Sequence, residues 1–391
     1  MALISGQASF TIPRGPSLII VCGSFDDKGG KPSKYMAKII DAFMFSTKFL
    51  SIDVINGGTL VDIDKAFDRA YSANVILWFA NIVGENDRLK ERFNLLKENN
   101  QSAILFISKN NLDNRYSEIH LIGRCLKAHA QRLLEITADN KLYSRKLFIA
   151  RLFDPLGNIY GGYNGRINNS TDVGRLLSKH IDNLLNITRI RSKSIGEHKI
   201  VSHSDDINRF CELSRVVGIR LHQVMQTEFN SHRFFGNVSF RCENGFPAIN
   251  NDGLIYVSPR NVNKQELMAD QFIACEIDSS FVRYYGSRKP SIDAPIQIEL
   301  FKKHPELKFM LHGHAYLNGA PFTEKILPCG AIEEVNEIEE IIKINTTNDI
   351  HVVNLRGHGF LIASNNVSIM EEFFKNGIYS IKARPIPEIQ P

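Results

Sequence analysis

Two histidines one residue apart, His312-Gly313-His314, follow the apolar run 307–311. In an extended segment residues i and i+2 point to the same face, so the two imidazoles converge on one point. Neutral imidazole nitrogen suits zinc, iron, cobalt or nickel, and Gly313 lets the backbone pass close. A pair of solvated histidines would look the same in isolation. Further along, however, Gly357-His358-Gly359 opens another apolar run, 359–363, and adds a third imidazole of the same chemistry. Three imidazoles around one cation leave coordination positions open for the oxygens of a substrate.

Other blocks surround these histidines: Gly236-Asn237-Val238-Ser239-Phe240-Arg241, then 253–260 (GLIYVSPR), then Lys289-Pro290-Ser291-Ile292-Asp293 ahead of a helix-like stretch, 294–302. In order and spacing they resemble the class II aldolase and adducin-head family, which includes fuculose-phosphate and rhamnulose-phosphate aldolases, ribulose-phosphate 4-epimerases and methylthioribulose-phosphate dehydratases. The resemblance covers residues 204–384. It implies an α/β/α layered domain holding a divalent metal, zinc being the expectation, on His312, His314 and His358. It also implies a catalytic acid or base at Asp293, where aldolases carry a glutamate and the epimerase branch an aspartate. An aspartate there is equally placed to cap the following helix.

The family's phosphate-binding asparagine, TP[ST]G turn and paired serines fall on Asn237, on Ser258-Pro259-Arg260-Asn261 and on Ser291-Ile292. Arg260 stands where the family has a small residue. It offers either a bidentate grip on phosphate or carboxylate in place of lost hydroxyls, or only a surface arginine at a turn. A second departure is larger. Relatives have a long helical stretch between the paired histidines and an I-P-C-like strand, cut here to residues 315–326 before Leu327-Pro328-Cys329. The aldolase tyrosine and the epimerase aspartate belong to that stretch; Tyr316, Glu324, Glu333, Glu334 and Tyr379 are the residues left to replace them.

Retro-aldol cleavage removes a hydroxyl proton, breaks a carbon–carbon bond and leaves an enediolate, whose charge a divalent metal stabilises. The resemblance therefore implies a metal-dependent aldolase-type lyase acting on a phosphorylated sugar. Epimerisation or dehydration at the same metal site is the alternative within enzymes. A non-catalytic, adducin-like assembly module is the alternative outside them, and retention of all three histidines favours the enzyme. Family sites are completed at subunit borders, which implies a homo-oligomer.

The first half reads differently. Apolar runs at 17–22, 50–55, 74–79 and 102–108 alternate with helical patterns at 33–43, 62–73 and 87–97, and 112–136 reads as mostly helix. A further strand pattern at 147–152 precedes a helix at 172–185. Continuous apolar strands separated by helices predict a parallel, doubly wound sheet with a Rossmann-like pattern. Ligands of such sheets lie beyond the carboxyl ends of the strands. Ser24, Asp26, Asn56, Gly57, Asn81 and Asp87 occupy those ends and form the candidate ligand site, for a nucleotide or sugar phosphate; polar loops would fall in the same places without a ligand.

The expected organisation is an N-terminal α/β domain, 1–190, and a class II aldolase-like α/β/α domain, 204–391, with the polar, aperiodic stretch 189–203 as linker. The chain has 391 residues and a formal charge of +5, too small to argue for nucleic acid. No apolar run approaches the roughly 18 to 20 residues that cross a bilayer, and the N-terminus lacks the pattern of a signal peptide, so a cytoplasmic setting is expected. Cys22, Cys125, Cys211, Cys242, Cys275 and Cys329 show no CxxC pairing, which predicts free thiols.

Overall fold

The computed structural model describes residues 17–24, 34–47, 51–56, 73–81, 104–110, 132–138, 148–154, 159–160, 170–199, 201, 204–225, 234, 236–242, 254–277, 281–344, 349–375 and 381–382, with the isolated positions 68, 91, 95–96 and 123. Residues 1–115, 128–152 and 161–185 cluster as one compact unit, and residues 116–127, 153–160 and 186–391 as a second.

The apolar runs of the first half form β1 (Ser17–Ser24), β2 (Ser51–Asn56), β3 (Val75–Asn81) and β4 (Ile104–Asn110). They are followed by β5 (Arg132–Ala138), β6 (Phe148–Phe153) and the short β7 (Ile159–Tyr160). The sheet order is β2-β1-β3-β4-β5-β6-β7, and β1 pairs in parallel with both β2 and β3, as β4 does with β3 and β5. Consecutive Val75, Ile76 and Leu77 are all buried, as a strand covered on both faces requires. This is the strand order of an open, doubly wound sheet. Helices α1 (Lys34–Ser46) and α2 (Ser170–Leu185) pack closely, because a Cβ at Gly174 would come 2.7 Å from the Ala42 Cβ.

One element departs from the sequence reading. Residues 132–138 lie in β5, within and just past the stretch expected to be mostly helix. Arg132 and Glu135 mimic a helical charge spacing, yet both are buried, and the Glu135 carboxylate takes the Arg151 guanidinium of β6 at 2.6 Å. A short apolar run of this kind does not reveal its period.

The second unit is built on β8 (Arg191–Gly196), α3 (Asp205–Met225), β9 (Asn237–Arg241), β10 (Ile255–Val257), β11 (Ile273–Ile277) and β12 (Phe281–Tyr285). After these come α4 (Ala294–Lys303), β13 (Phe309–Gly313), β14 (Tyr316–Leu317), α5 (Glu334–Ile344), β15 (Ile350–Leu355), β16 (Gly359–Ser364), α6 (Val367–Lys375) and β17 (Ile381–Lys382). Its main sheet has the order β15-β16-β13-β9-β10-β11-β12-β8, antiparallel except where β8 runs parallel to β12.

Side chains alternate between two cores. Phe309 and Leu311 of β13 and Phe360 and Ile362 of β16 pack with Phe210, Val217 and Leu221 of α3 and Met370 and Phe374 of α6. Their neighbours Met310, Leu361 and Ala363 pack with Ile296, Leu300 and Phe301 of α4 and Val335, Ile338 and Ile342 of α5. The continuous apolar strands are thus explained by helices on both faces, an α/β/α layering. The stretch expected as linker is a correction: residues 191–196 are the edge strand β8 of this sheet. Its lack of apolar alternation reflects an exposed edge, not a tether.

Candidate metal centre

The metal-ligand pattern read from sequence gains its geometry from β9, β13 and β16. In this antiparallel triplet Asn237 of β9 stands opposite His312 of β13, and Gly313 opposite Phe360 of β16. His358, just before β16, therefore comes to the same sheet end as His312 and His314. Their ring centroids lie 4.6 Å apart for His312 and His358, 5.0 Å for His312 and His314, and 5.3 Å for His314 and His358.

Close chain approach is needed here, and two glycines supply it. Gly236 sits at φ +80° against the His312 carbonyl oxygen, and a side chain at Gly359 would run into the Gly313 carbonyl oxygen. Backbone has no rotamer with which to give way. Gly359→Ala is expected to destabilise the second unit by on the order of 3 kcal/mol, read from urea unfolding. Wild-type stability in that variant would show that β13 and β16 separate without cost.

Asp293 completes the group: ligand atoms of Asp293, His312, His314 and His358 all lie within 4.8 Å of one another. Although Asp293 holds the N-cap position of α4, its side chain does not cap the helix. Its Oδ1 instead accepts from the Gly330 N–H at 2.8 Å and its Oδ2 from Asn237 Nδ2 at 3.3 Å. The same oxygens lie 3.5 Å from His358 Nε2 and 3.7 Å from His312 Nε2.

The outer nitrogens of two rings are committed. His312 Nδ1 donates to the Phe360 carbonyl at 2.8 Å, and His358 Nδ1 to the Glu334 carboxylate at 2.8 and 3.0 Å. This orients the two rings so that both Nε2 atoms face Asp293. Those Nε2 atoms are buried and have no hydrogen-bond partner among the described residues. Orphaned polar atoms are costly in a protein interior, and ring nitrogens turned inward opposite a carboxylate are what a metal cation would satisfy.

The electrostatics agree. Burial, with the neighbouring imidazoles, pushes His312 down to about 3 and His314 well below the ordinary histidine range. Burial opposes charge on His358 as well, but Cys329, Glu334 and Asp293 outweigh it and raise His358 well above that range. Burial would likewise raise Asp293, yet the charge of His358, with the other two histidines, holds it well below the usual carboxylate range. Without a metal, the positive charge of the group therefore resides on His358, between two carboxylates.

The expected phosphate-binding residues lie around this centre. Asn237 is buried, with its Oδ1 unpartnered among the described residues. Ser258 Oγ accepts from the Val238 N–H at 3.1 Å, and Ser291 Oγ from the Asp293 N–H at 3.3 Å. The Arg260 N–H donates to the Lys289 carbonyl at 2.9 Å, tying its turn to the segment leading to Asp293. Asn261 has φ +53° where the family has glycine, and its Oδ1 accepts from the Phe234 N–H at 3.2 Å.

Most candidate replacements for the missing tyrosine and acid serve other purposes. The Tyr316 hydroxyl accepts from the Gly357 N–H, Glu333 accepts from the Thr188 N–H, Glu324 is exposed, and Tyr379 lies outside the described residues. Glu334, considered only as a replacement acid, is the partner of His358. Lys264 and Gly330 were not foreseen, and no spacing rule marks them. Glu334→Gln is expected to weaken metal binding about 10- to 100-fold with little change in fold. Unchanged affinity in a metal titration would make Glu334 a bystander.

In the first unit Ser24, Asn56 and Asn81 end β1, β2 and β3, with Ser24 opposite Asn81 and Cys22 opposite Asn56. Asp26, Gly57 and Asp87 lie outside the described residues. Cys211, Cys242, Cys275 and Cys329 are free thiols, and no helix among the described residues is long and apolar enough to cross a membrane.

Residues 219–370 match the model of the Class II Aldolase and Adducin N-terminal domain, so the C-terminal region is a domain of that family. No protein of curated function matches the chain. Among solved structures, L-fuculose 1-phosphate aldolase is 16% identical, with 44% of this chain and 84% of that one covered at a TM-score of 0.30. The N-terminal class II aldolase domain of a conserved protein from Thermoplasma acidophilum is 16% identical over 45% of this chain and 97% of that one, with a TM-score of 0.30. The DNA/pantothenate metabolism flavoprotein from Streptococcus pneumoniae is 11% identical over 43% and 99%, with a TM-score of 0.34.

Proposed function

We propose that the chain is a divalent-metal-dependent lyase of the aldolase type whose substrate is a phosphorylated sugar. The observation that carries this reading is the buried group of Asp293 and the three histidines, with two Nε2 atoms turned inward and unpartnered among the described residues. His312, His314 and His358 would hold the metal, with zinc the expected ion, and Asp293 stands within reach of it. When bound, the metal supplies a Lewis acid that polarises substrate oxygens and offsets negative charge formed during carbon–carbon cleavage.

The chain's own residues do the rest. Asp293, kept ionised by its neighbours, accepts the hydroxyl proton. Asn237 and the Gly330 N–H hold that carboxylate in place. The Asn237 Oδ1 offers an acceptor to a substrate hydroxyl. Asn237, Ser258, Arg260, Asn261 and Ser291 bring two turns together beside the centre, where the phosphate would be held. Metal-loaded protein incubated with a panel of phosphorylated ketoses should release carbonyl fragments, and chelation should abolish the release. Failure on the whole panel by protein of full metal content would overturn the proposal.

One observation favours a second reading on the same site. Residue 293 is aspartate, and the one tyrosine expected nearby among the described residues, Tyr316, is held at Gly357. Epimerisation or dehydration would then replace cleavage, revealed by an isomer or an anhydro product in place of two fragments.

For the first unit we propose a nucleotide-like ligand at the carboxyl ends of β1–β3, held by Ser24, Asn56 and Asn81 with Asp26, Gly57 and Asp87, which follow those strands in the sequence. Calorimetric titration with nucleotides tests this, and absence of heat at high concentration would remove it. The active form is proposed to be a cytoplasmic homo-oligomer. Light scattering should give a multiple of the 44.3 kDa chain; a monomer would contradict that.

A further inference from the structure

Lys264 is the least expected buried residue near the metal centre. It opens a short 3-10 turn, Lys264–Glu266, started by Asn263, whose side chain accepts from the Gln265 N–H. The turn is pressed onto α3 at Gly218, where a Cβ would come 2.8 Å from the Lys264 Cβ. With that path blocked, the lysine stem runs inward and the residue is only 5% exposed. Its Nζ donates to the Phe234 carbonyl at 3.3 Å, and no second hydrogen bond or ion pair is seen at Nζ among the described residues.

An ammonium has three N–H donors. Burying it with one neutral acceptor is unfavourable, and a methionine would fill the same space without that cost. Burial accordingly lowers Lys264 to about 7, opposed by one named charge, the Asp293 carboxylate. The placement is also specific. Phe234 donates its N–H to Asn261 Oδ1 and receives Lys264 at its carbonyl, so the amine is held at a residue that ties the segment leading to Asn237 to the turn 258–261. Gly236 of the first segment rests on the His312 backbone, and Asn237 bonds Asp293.

Resting on the sugar-phosphate reading above, we propose that Lys264 is the cation that seats the substrate's phosphate beside Phe234 and the turn 258–261, through the two N–H donors that have no partner among the described residues. It thereby replaces donors that the family draws from small hydroxyl residues, which here have become Arg260 and Ile292. An oxyanion would supply acceptors beyond the Phe234 carbonyl, and the substrate class narrows to sugars whose phosphate reaches this seat while their oxygens reach the histidines.

The test uses the metal-loaded full chain and inorganic phosphate as probe. Calorimetry should show phosphate binding to the wild type, weakened by about tenfold or more in Lys264→Met and largely kept in Lys264→Arg, with metal content unchanged in both. Equal binding in wild type and Lys264→Met, or no binding to the wild type, would overturn the proposal. A wild-type measurement, independent of how the methionine variant folds, stands beside it. In protein labelled at the lysine ε-carbon, the resonance that Lys264→Arg removes should move on phosphate addition, and an unmoved resonance also refutes the seat. Lys264-dependent phosphate binding without turnover of any sugar phosphate would leave the seat standing and remove the lyase reading. Turnover with phosphate binding independent of Lys264 would do the reverse.

Discussion

His312→Ala and His314→Ala are each expected to lose the bound metal, from about one ion per chain to near none by elemental analysis, and all activity with it. Neither loss is easily compensated. The His312 ring is oriented by the Phe360 carbonyl, and His358 by Glu334, so no nearby nitrogen is free to swing into a vacated position. Because His358 is protonated in the metal-free group, the metal must displace that proton. Apparent affinity should therefore rise with pH, by up to about tenfold per unit, while the pH remains below the raised value of His358. The sign reverses for metal-free stability. A folded-state value above the unfolded one means that charged His358 contributes fully below the ordinary histidine range, about 6.5, and loses that contribution as pH rises through the raised value. Above about 6.5, where the depressed His312 and His314 are neutral in both states, melting curves with and without metal should thus shift in opposite directions as pH increases. Full metal occupancy in both alanine variants would exclude the site.

Asp293→Asn is expected to keep the fold and most of the metal while kcat falls by about 10²- to 10⁴-fold, because the residue proposed to accept the proton is gone. The fold survives because the new amide oxygen still accepts from the Gly330 N–H. Its NH2 then faces Asn237, which can rotate its own amide and present the Oδ1 that is unpartnered in the wild type. Metal affinity should drop modestly, since a neutral group replaces a carboxylate 3.5 Å from His358 Nε2. Turnover at the wild-type rate would reduce Asp293 to a positioning group. Steady-state kinetics with elemental analysis on the same samples separates these outcomes.

The centre was legible in sequence wherever chemistry is carried by short spacing. His312 and His314 share a face because strands have period two, and His358 stood out between glycines that the structure explains by close approach of β13 and β16. The sheet ends of the first half were legible for the same reason, since unbroken apolar strands mark a sheet covered on both faces. What stayed hidden depends on pairing between distant segments. Glu334 reaches His358 across a helix start, and the Gly330 N–H reaches Asp293 from a loop. Lys264 gives no sign in sequence that Gly218 turns it inward. β5 was missed because Arg132 and Glu135, both buried in the sheet, read residue by residue as helix surface.

The edge strand β8 governs how this chain may be cut. Its residues Arg191–Gly196 are mostly exposed and carry arginine, lysine and serine, and they occupy the hydrogen-bonding edge of β12. A fragment beginning at residue 204 would keep every group of the metal centre but strip that cover, baring the backbone of β12 beside the exposed Phe281. An uncovered edge recruits strands from other molecules. The metal domain alone should therefore precipitate or self-associate when trimmed at 204, and should stay dispersed when the cut is moved to residue 186, ahead of β8.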